Sequence, residues 1–112
     1  MYANEFDATM QLIRGKWKIR ILYELVDDPH ARFNGLQRNL AITHKMLAEQ
    51  LQQLVADDLV VRRDFHEQPL HVEYQLTDRG QTMIPVLDTI CDWGLAHVDR
   101  SEMVETLCDE TD

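Results

Sequence analysis

What the chain lacks excludes most function classes. No stretch approaches the ~20 consecutive apolar residues needed to cross a bilayer. The start, MYANEFDATM, has no basic segment followed by an apolar one, so the expectation is a soluble, untargeted, cytoplasmic chain with no membrane partner. Two well-separated cysteines, Cys91 and Cys108, do not make a disulfide framework. Five scattered histidines (His30, His44, His66, His71 and His97) form no HxH or HExxH spacing, and there is no CxxC, so no metal site or cofactor is expected. A Gly-rich phosphate loop, a G-x-S-x-G turn and paired carboxylates in a setting that tunes acidity are also missing, which argues against an enzyme.

Positive charge is scarce as well. Eleven Lys and Arg face twenty Asp and Glu, a formal net charge of -9, although phosphate neutralisation by cations supplies most non-specific affinity for nucleic acid. The distribution matters more than the total. Residues 81–112 hold one basic side chain, Arg100, against eight acids, whereas residues 30–63 hold five basic side chains against three acids. The acidic segment reads as a solvated end. At 112 residues and 45% apolar content the chain fits one globular domain.

Periodicity supplies the helices. Phe6, Met10, Ile13 and Trp17 recur at spacings of four, three and four, and Ile21, Leu22 and Leu25 continue the stripe beyond Gly15. This predicts one helix near 5–14 and a second near 16–26, stopped by Asp27, Asp28 and Pro29. A third helix should open at Asn34 as N-cap, with Gln37 in the capping-box place. Ala41 and Ile42 form a tight turn. Thr43 then caps a fourth helix, with Ile42 and Leu47 placed as a hydrophobic staple. Its buried stripe is Leu47, Leu51, Leu54 and Val55, which leaves Thr43, His44 and Lys45 at the exposed start. Two capped helices joined by a short turn make a helix-turn-helix, whose second helix presents its N-terminal residues to a DNA major groove.

Beyond Asp58 the period changes to two. Leu59 to Phe65 and His71 to Leu76 alternate around His66, Glu67, Gln68 and Pro69, a hairpin that forms the wing. Thr77 caps a last helix that carries Met83, Ile84, Leu87, Ile90, Cys91 and Trp93, with Pro85 kinking it or placed in its first turns. Its apolar surface exceeds the need of a small core. Together with Phe6 and Met10, Ile90 and Trp93 are expected to bury a dimer interface. Cys91 lies in an apolar run and reads as a buried, inert thiol. Cys108 falls in the exposed acidic tail, where a link between subunits stays open.

In five short segments the chain resembles the HxlR-type winged helix-turn-helix regulators, which are MarR-like. These are Gly15-Lys16-Trp17, Arg32-Phe33-Asn34, Lys45-Met46-Leu47, Val72 to Thr77, and Cys91-Asp92-Trp93-Gly94. The resemblance implies a homodimer that binds a pseudo-palindromic double-stranded operator. Three departures accompany it. The place of a cysteine before the first helix, found in many members, is near Asn4 here, so no N-terminal thiol switch is implied. Asp58 stands where glycine is usual, a left-handed position that Asp tolerates at some cost. His71 replaces a common arginine, which makes that wing contact weaker and dependent on pH.

The expected fold is therefore mainly α with a small β-hairpin (α+β), a winged helix-turn-helix with N- and C-terminal dimerisation helices. Residues 1–100 form the DNA-binding domain and 101–112 an acidic tail. The expected function is a sequence-specific transcriptional regulator, a repressor, acting as a homodimer. Thr43, His44 and Lys45 are the candidate base contacts, and Arg32, Arg38, Gln50, Arg62, Arg63, His66 and His71 the candidate backbone or minor-groove contacts. Two alternatives remain. One is a winged-helix protein-interaction module without DNA binding. The other is a sensor of an unidentified small-molecule effector, with its pocket between the second and last helices near Trp17 and Trp93.

Overall fold

In the computed structural model, which describes residues 1–108, the chain runs α1 (Glu5–Ile13), α2 (Lys18–Val26), α3 (Phe33–Leu40), α4 (His44–Ala56), β1 (Val60–Asp64), β2 (Val72–Leu76) and α5 (Asp78–His97), then a 3-10 turn Arg100–Glu102. The α+β winged helix-turn-helix expected from the sequence is present. Asn4 starts α1 by accepting the Asp7 N–H at its Oδ1. Gly15, at φ +104, makes the reversal into α2 in a region that a Cβ disfavours. At the other end of α2, Asp27 and Asp28 precede Pro29.

One helix start differs from expectation. Arg32, not Asn34, is the N-cap of α3, and its side chain makes no capping bond. The cause is tertiary: Ala31 is bridged to Tyr74 of β2, whose N–H donates to the Ala31 carbonyl at 2.8 Å, and this fixes the chain so that Arg32 O accepts the first helical bond from Leu36. The next turn is as expected. Ala41 is left-handed at φ 53, Ile42 N–H returns to Gln37 O, and Thr43 Oγ1 accepts from Met46 N–H. Ile42 and Leu47, both buried, close the staple.

The end of α4 is a Schellman motif. Leu59 N–H donates to Leu54 O and Asp58 N–H to Val55 O, each at 3.0 Å, with Asp58 at φ 59. Thr77 then joins this corner to the wing, donating its hydroxyl to Asp58 O and its N–H to Leu59 O while it caps α5. The hairpin is antiparallel, with Val60 opposite Leu76 and Arg62 opposite Tyr74.

The core lies under α4 and is closed by α2, α3, the hairpin and the first half of α5. Ile21, Leu22, Leu47, Leu54, Leu59 and Leu87 are fully buried there, and each such aliphatic side chain contributes about 1.5–3 kcal/mol. Lys18 is buried too, and its Nζ donates to Gln53 Oε1 at 2.6 Å, tying α2 to the recognition helix α4. Pro85 sits inside α5 rather than at its start.

The cysteine expectation is overturned. Cys91 and Cys108 form a disulfide within one chain, Cα atoms 5.7 Å apart, so Cys91 is not an inert thiol and Cys108 is not free to link subunits. After His97 the chain turns back along α5, helped by an Asp99 and Glu102 capping box, and the 17-residue separation becomes a short distance in space. The segment around 103–108 therefore returns alongside α2 and α5, with Val104 and Leu107 still exposed, and Arg20 pairs with Glu105. The acids Asp109, Glu110 and Asp112 lie outside the described residues.

Candidate nucleic-acid interface

The α4 N-terminus projects from the core because only one side of its first turns is apolar. Leu47 and Leu51 point inward, while Thr43, His44, Lys45, Ala48 and Gln52 are exposed. Thr43 spends an oxygen lone pair on the helix cap and keeps its hydroxyl proton for another acceptor. The His44 ring rests on Phe33, centroids 4.6 Å apart, so the neighbouring helix orients it. Lys45 is exposed, and Arg38 stands exposed in the last turn of α3. These cations share the region with the positive end of the α4 dipole, which favours an anion. Gln50 is placed differently: it is half-buried, with Nε2 directed at Met46 Sδ.

The wing contributes a second basic group. Arg62 is 47% exposed and 3.8 Å from Asp64. It also lines a cleft of about 290 Å3 against the Ala48 and Gln52 face of α4, which brings strand and recognition helix to one surface. Arg63 lies over Phe65 and reaches Gln75. His66 is exposed at the start of the wing loop, at φ 54, its N–H held by Asp64 Oδ1. Arg32 donates to the Leu70 carbonyl at 3.4 Å and, with Arg38, borders a groove of about 610 Å3 between α3 and the wing tip.

His71 has a different setting from the other candidates. Its Nδ1 lies 2.9 Å from Glu67 Oε1 and its Nε2 2.7 Å from Glu73 Oε2, while His30 Nδ1 lies 2.8 Å from Glu73 Oε1. A carboxylate only accepts, so an imidazole donating from both nitrogens is the charged form. The bonds from Glu67 and then Glu73 raise the His71 pKa, and the bonds from His30 and then His71 hold the Glu73 carboxyl below its ordinary value. His71 is thus a brace of the wing, with no ring N–H left for a phosphate in this arrangement. Sequence reading missed the roles of His30, Glu73 and Phe33. The signal available for Glu73 was its parity, since residues 71 and 73 share one face of the strand.

Comparison with known proteins agrees with this geometry. The HxlR-like helix-turn-helix family model matches residues 12–102. The HTH-type transcriptional regulator YdzF of Bacillus subtilis is 48% identical over 93 residues, 82% of this chain and 85% of that protein. The regulator BH0655 of Halalkalibacterium halodurans is 45% identical over 93 residues, 82% of each. Among solved structures, the redox regulator HypR in its reduced form superposes with a TM-score of 0.80 at 37% identity, covering 88% of this chain and 98% of that one. Reduced YodB of B. subtilis gives 0.79 at 28% identity, covering 88% and 97%. A capped recognition helix, a basic wing beside it and a match across most of the chain lead to one conclusion: the protein belongs to the HxlR-like helix-turn-helix family.

Proposed function

We propose that the protein is a cytoplasmic, sequence-specific DNA-binding transcriptional regulator that acts as a homodimer on a pseudo-palindromic operator and represses by occupying a promoter. The observation that carries this reading is the exposed cluster of Thr43, His44 and Lys45 at the capped start of α4, with Arg38 exposed at the end of α3 and Arg62 of the wing lining a cleft against the same helix. Thr43, His44 and Lys45 contact base edges. Arg32, Arg38, Arg62, Arg63 and His66 hold the phosphate backbone, Gln50 supports the helix from its half-buried side, and His71 acts through the wing it braces. Two-fold symmetry would seat the recognition helices in successive major grooves about 34–36 Å apart. Relatives named as transcriptional regulators support the same reading.

The test is fluorescence anisotropy of the purified protein on the DNA upstream of its own gene, with a scrambled duplex as control, across a salt series. Selective binding that weakens by about 10³- to 10⁵-fold from low to moderate salt is expected for about 6–10 phosphate contacts. A promoter-reporter assay should show lower output with the protein present. Equal affinity for scrambled DNA, or no binding at low salt to any genomic fragment, would favour a protein-interaction module.

A further inference from the structure

Between α2, the second half of α5 and the returning segment 103–108 lies a cavity of about 300 Å3. Ile19, Leu87, Ile90, Leu95 and Leu107 line it, so its walls are largely hydrocarbon. The polar groups at its edge already have partners. Tyr23 donates its hydroxyl to Asp88 Oδ1 at 3.0 Å, Thr106 donates to the Cys108 carbonyl, and Glu105 is paired with Arg20. The outer wall is covalently fixed, because the Cys91–Cys108 disulfide anchors the segment to α5.

Gly94 is a second, independent observation. It lines the cavity, and a Cβ built on it meets no atom within 4 Å. A side chain can therefore be added at this wall without meeting another atom.

We propose that this cavity is a binding site for a small, uncharged, mainly apolar molecule such as a single aromatic ring system. The volume is at the lower end of ligand pockets and suits about ten non-hydrogen atoms. Anions are disfavoured by the largely hydrocarbon walls and by the carboxylates of Glu105 at the rim and of Asp88 behind Tyr23. The tethered segment forms one wall of the cavity, and the remaining space of about 300 Å3 is too small for a helix. Tyr23 remains a neutral phenol at working pH, since burial and then its bond to Asp88 push its pKa up to about 12. The site stands apart from the α4 and wing surface, so its occupancy is measurable without DNA.

The experiment uses the full chain with its disulfide intact, confirmed by mass. Indole is titrated as the probe and followed by methyl and amide NMR shifts, with benzoate, of the same size but charged, as comparison. Saturable indole binding is expected, with nuclear Overhauser contacts to Ile19, Leu95 and Leu107. Benzoate should bind at least tenfold more weakly. Gly94→Leu adds a side chain at this wall and should weaken indole at least tenfold while the amide spectrum stays folded. Gly94→Ala, a smaller change, checks the trend should the leucine variant unfold, with an intermediate loss expected. No saturable binding, contacts only to the outer Trp93 face, or equal affinity in the Gly94 variants would overturn the proposal.

Discussion

Two side chains carry the sharpest residue-scale expectations. His71 is held by two carboxylates that raise its pKa, so its contribution is fully present below the unfolded value of about 6.5 and is lost as pH rises through the raised folded value. Glu73 behaves oppositely: its lowered pKa means that its contribution is present above the ordinary carboxyl value and lost as pH falls through the folded one. The wing is therefore tightest between these limits. An NMR titration should find His71 titrating above an ordinary histidine, and Glu67→Gln should move it down, because Glu67 is the largest cause. A His71 midpoint at or below 6.5 would contradict the double bond. Lys45 is exposed and outside the core, so Lys45→Ala should leave stability within about 0.5 kcal/mol. Operator affinity should fall by about 1–3 kcal/mol if the lysine reads a base. An unchanged anisotropy curve would remove Lys45 from the interface.

At the scale of elements, two glycines of α5 test how closely the helix is packed. A Cβ at Gly80 would lie 2.0 Å from the Leu59 carbonyl oxygen, a backbone atom of the corner between α4 and β1. Gly80→Ala should cost roughly 3 kcal/mol or more, because helix or corner must move. Gly94 has open space around it, and Gly94→Ala should stabilise by about 0.5–1 kcal/mol through helix propensity. Urea unfolding of the two variants should shift the midpoint in opposite directions, and a neutral Gly80→Ala would refute the close approach. The same contrast shows what was legible in the sequence. Local signals located the Thr43 and Thr77 caps and the Ile42–Leu47 staple, because each depends on residues within one turn, whereas the left-handed Asp58 came from the family resemblance. The start of α3 was misplaced because the Ala31–Tyr74 bridge joins positions 43 residues apart. The Cys91–Cys108 disulfide was missed for a similar reason: only the return of the chain along α5 makes the pair, and no spacing rule encodes it.

The whole molecule carries an unpaid surface. Phe6 is 84% exposed, Met10 48%, Ile90 46% and Trp93 61%, more large apolar side chains on α1 and α5 than a small domain leaves in water without a partner. A two-fold dimer would bury this surface. One site then couples assembly to DNA affinity. Trp93→Asp places a charge in the centre of the surface and should give a monomer by light scattering, with the fold intact by circular dichroism, since Trp93 takes no part in the buried core. Because each half-site alone supplies only half of the phosphate contacts, that monomer should lose affinity and show a salt dependence of roughly half the slope. A Trp93→Asp protein that stays dimeric would place the interface elsewhere. A monomeric variant with undiminished operator affinity would show that one subunit suffices for recognition.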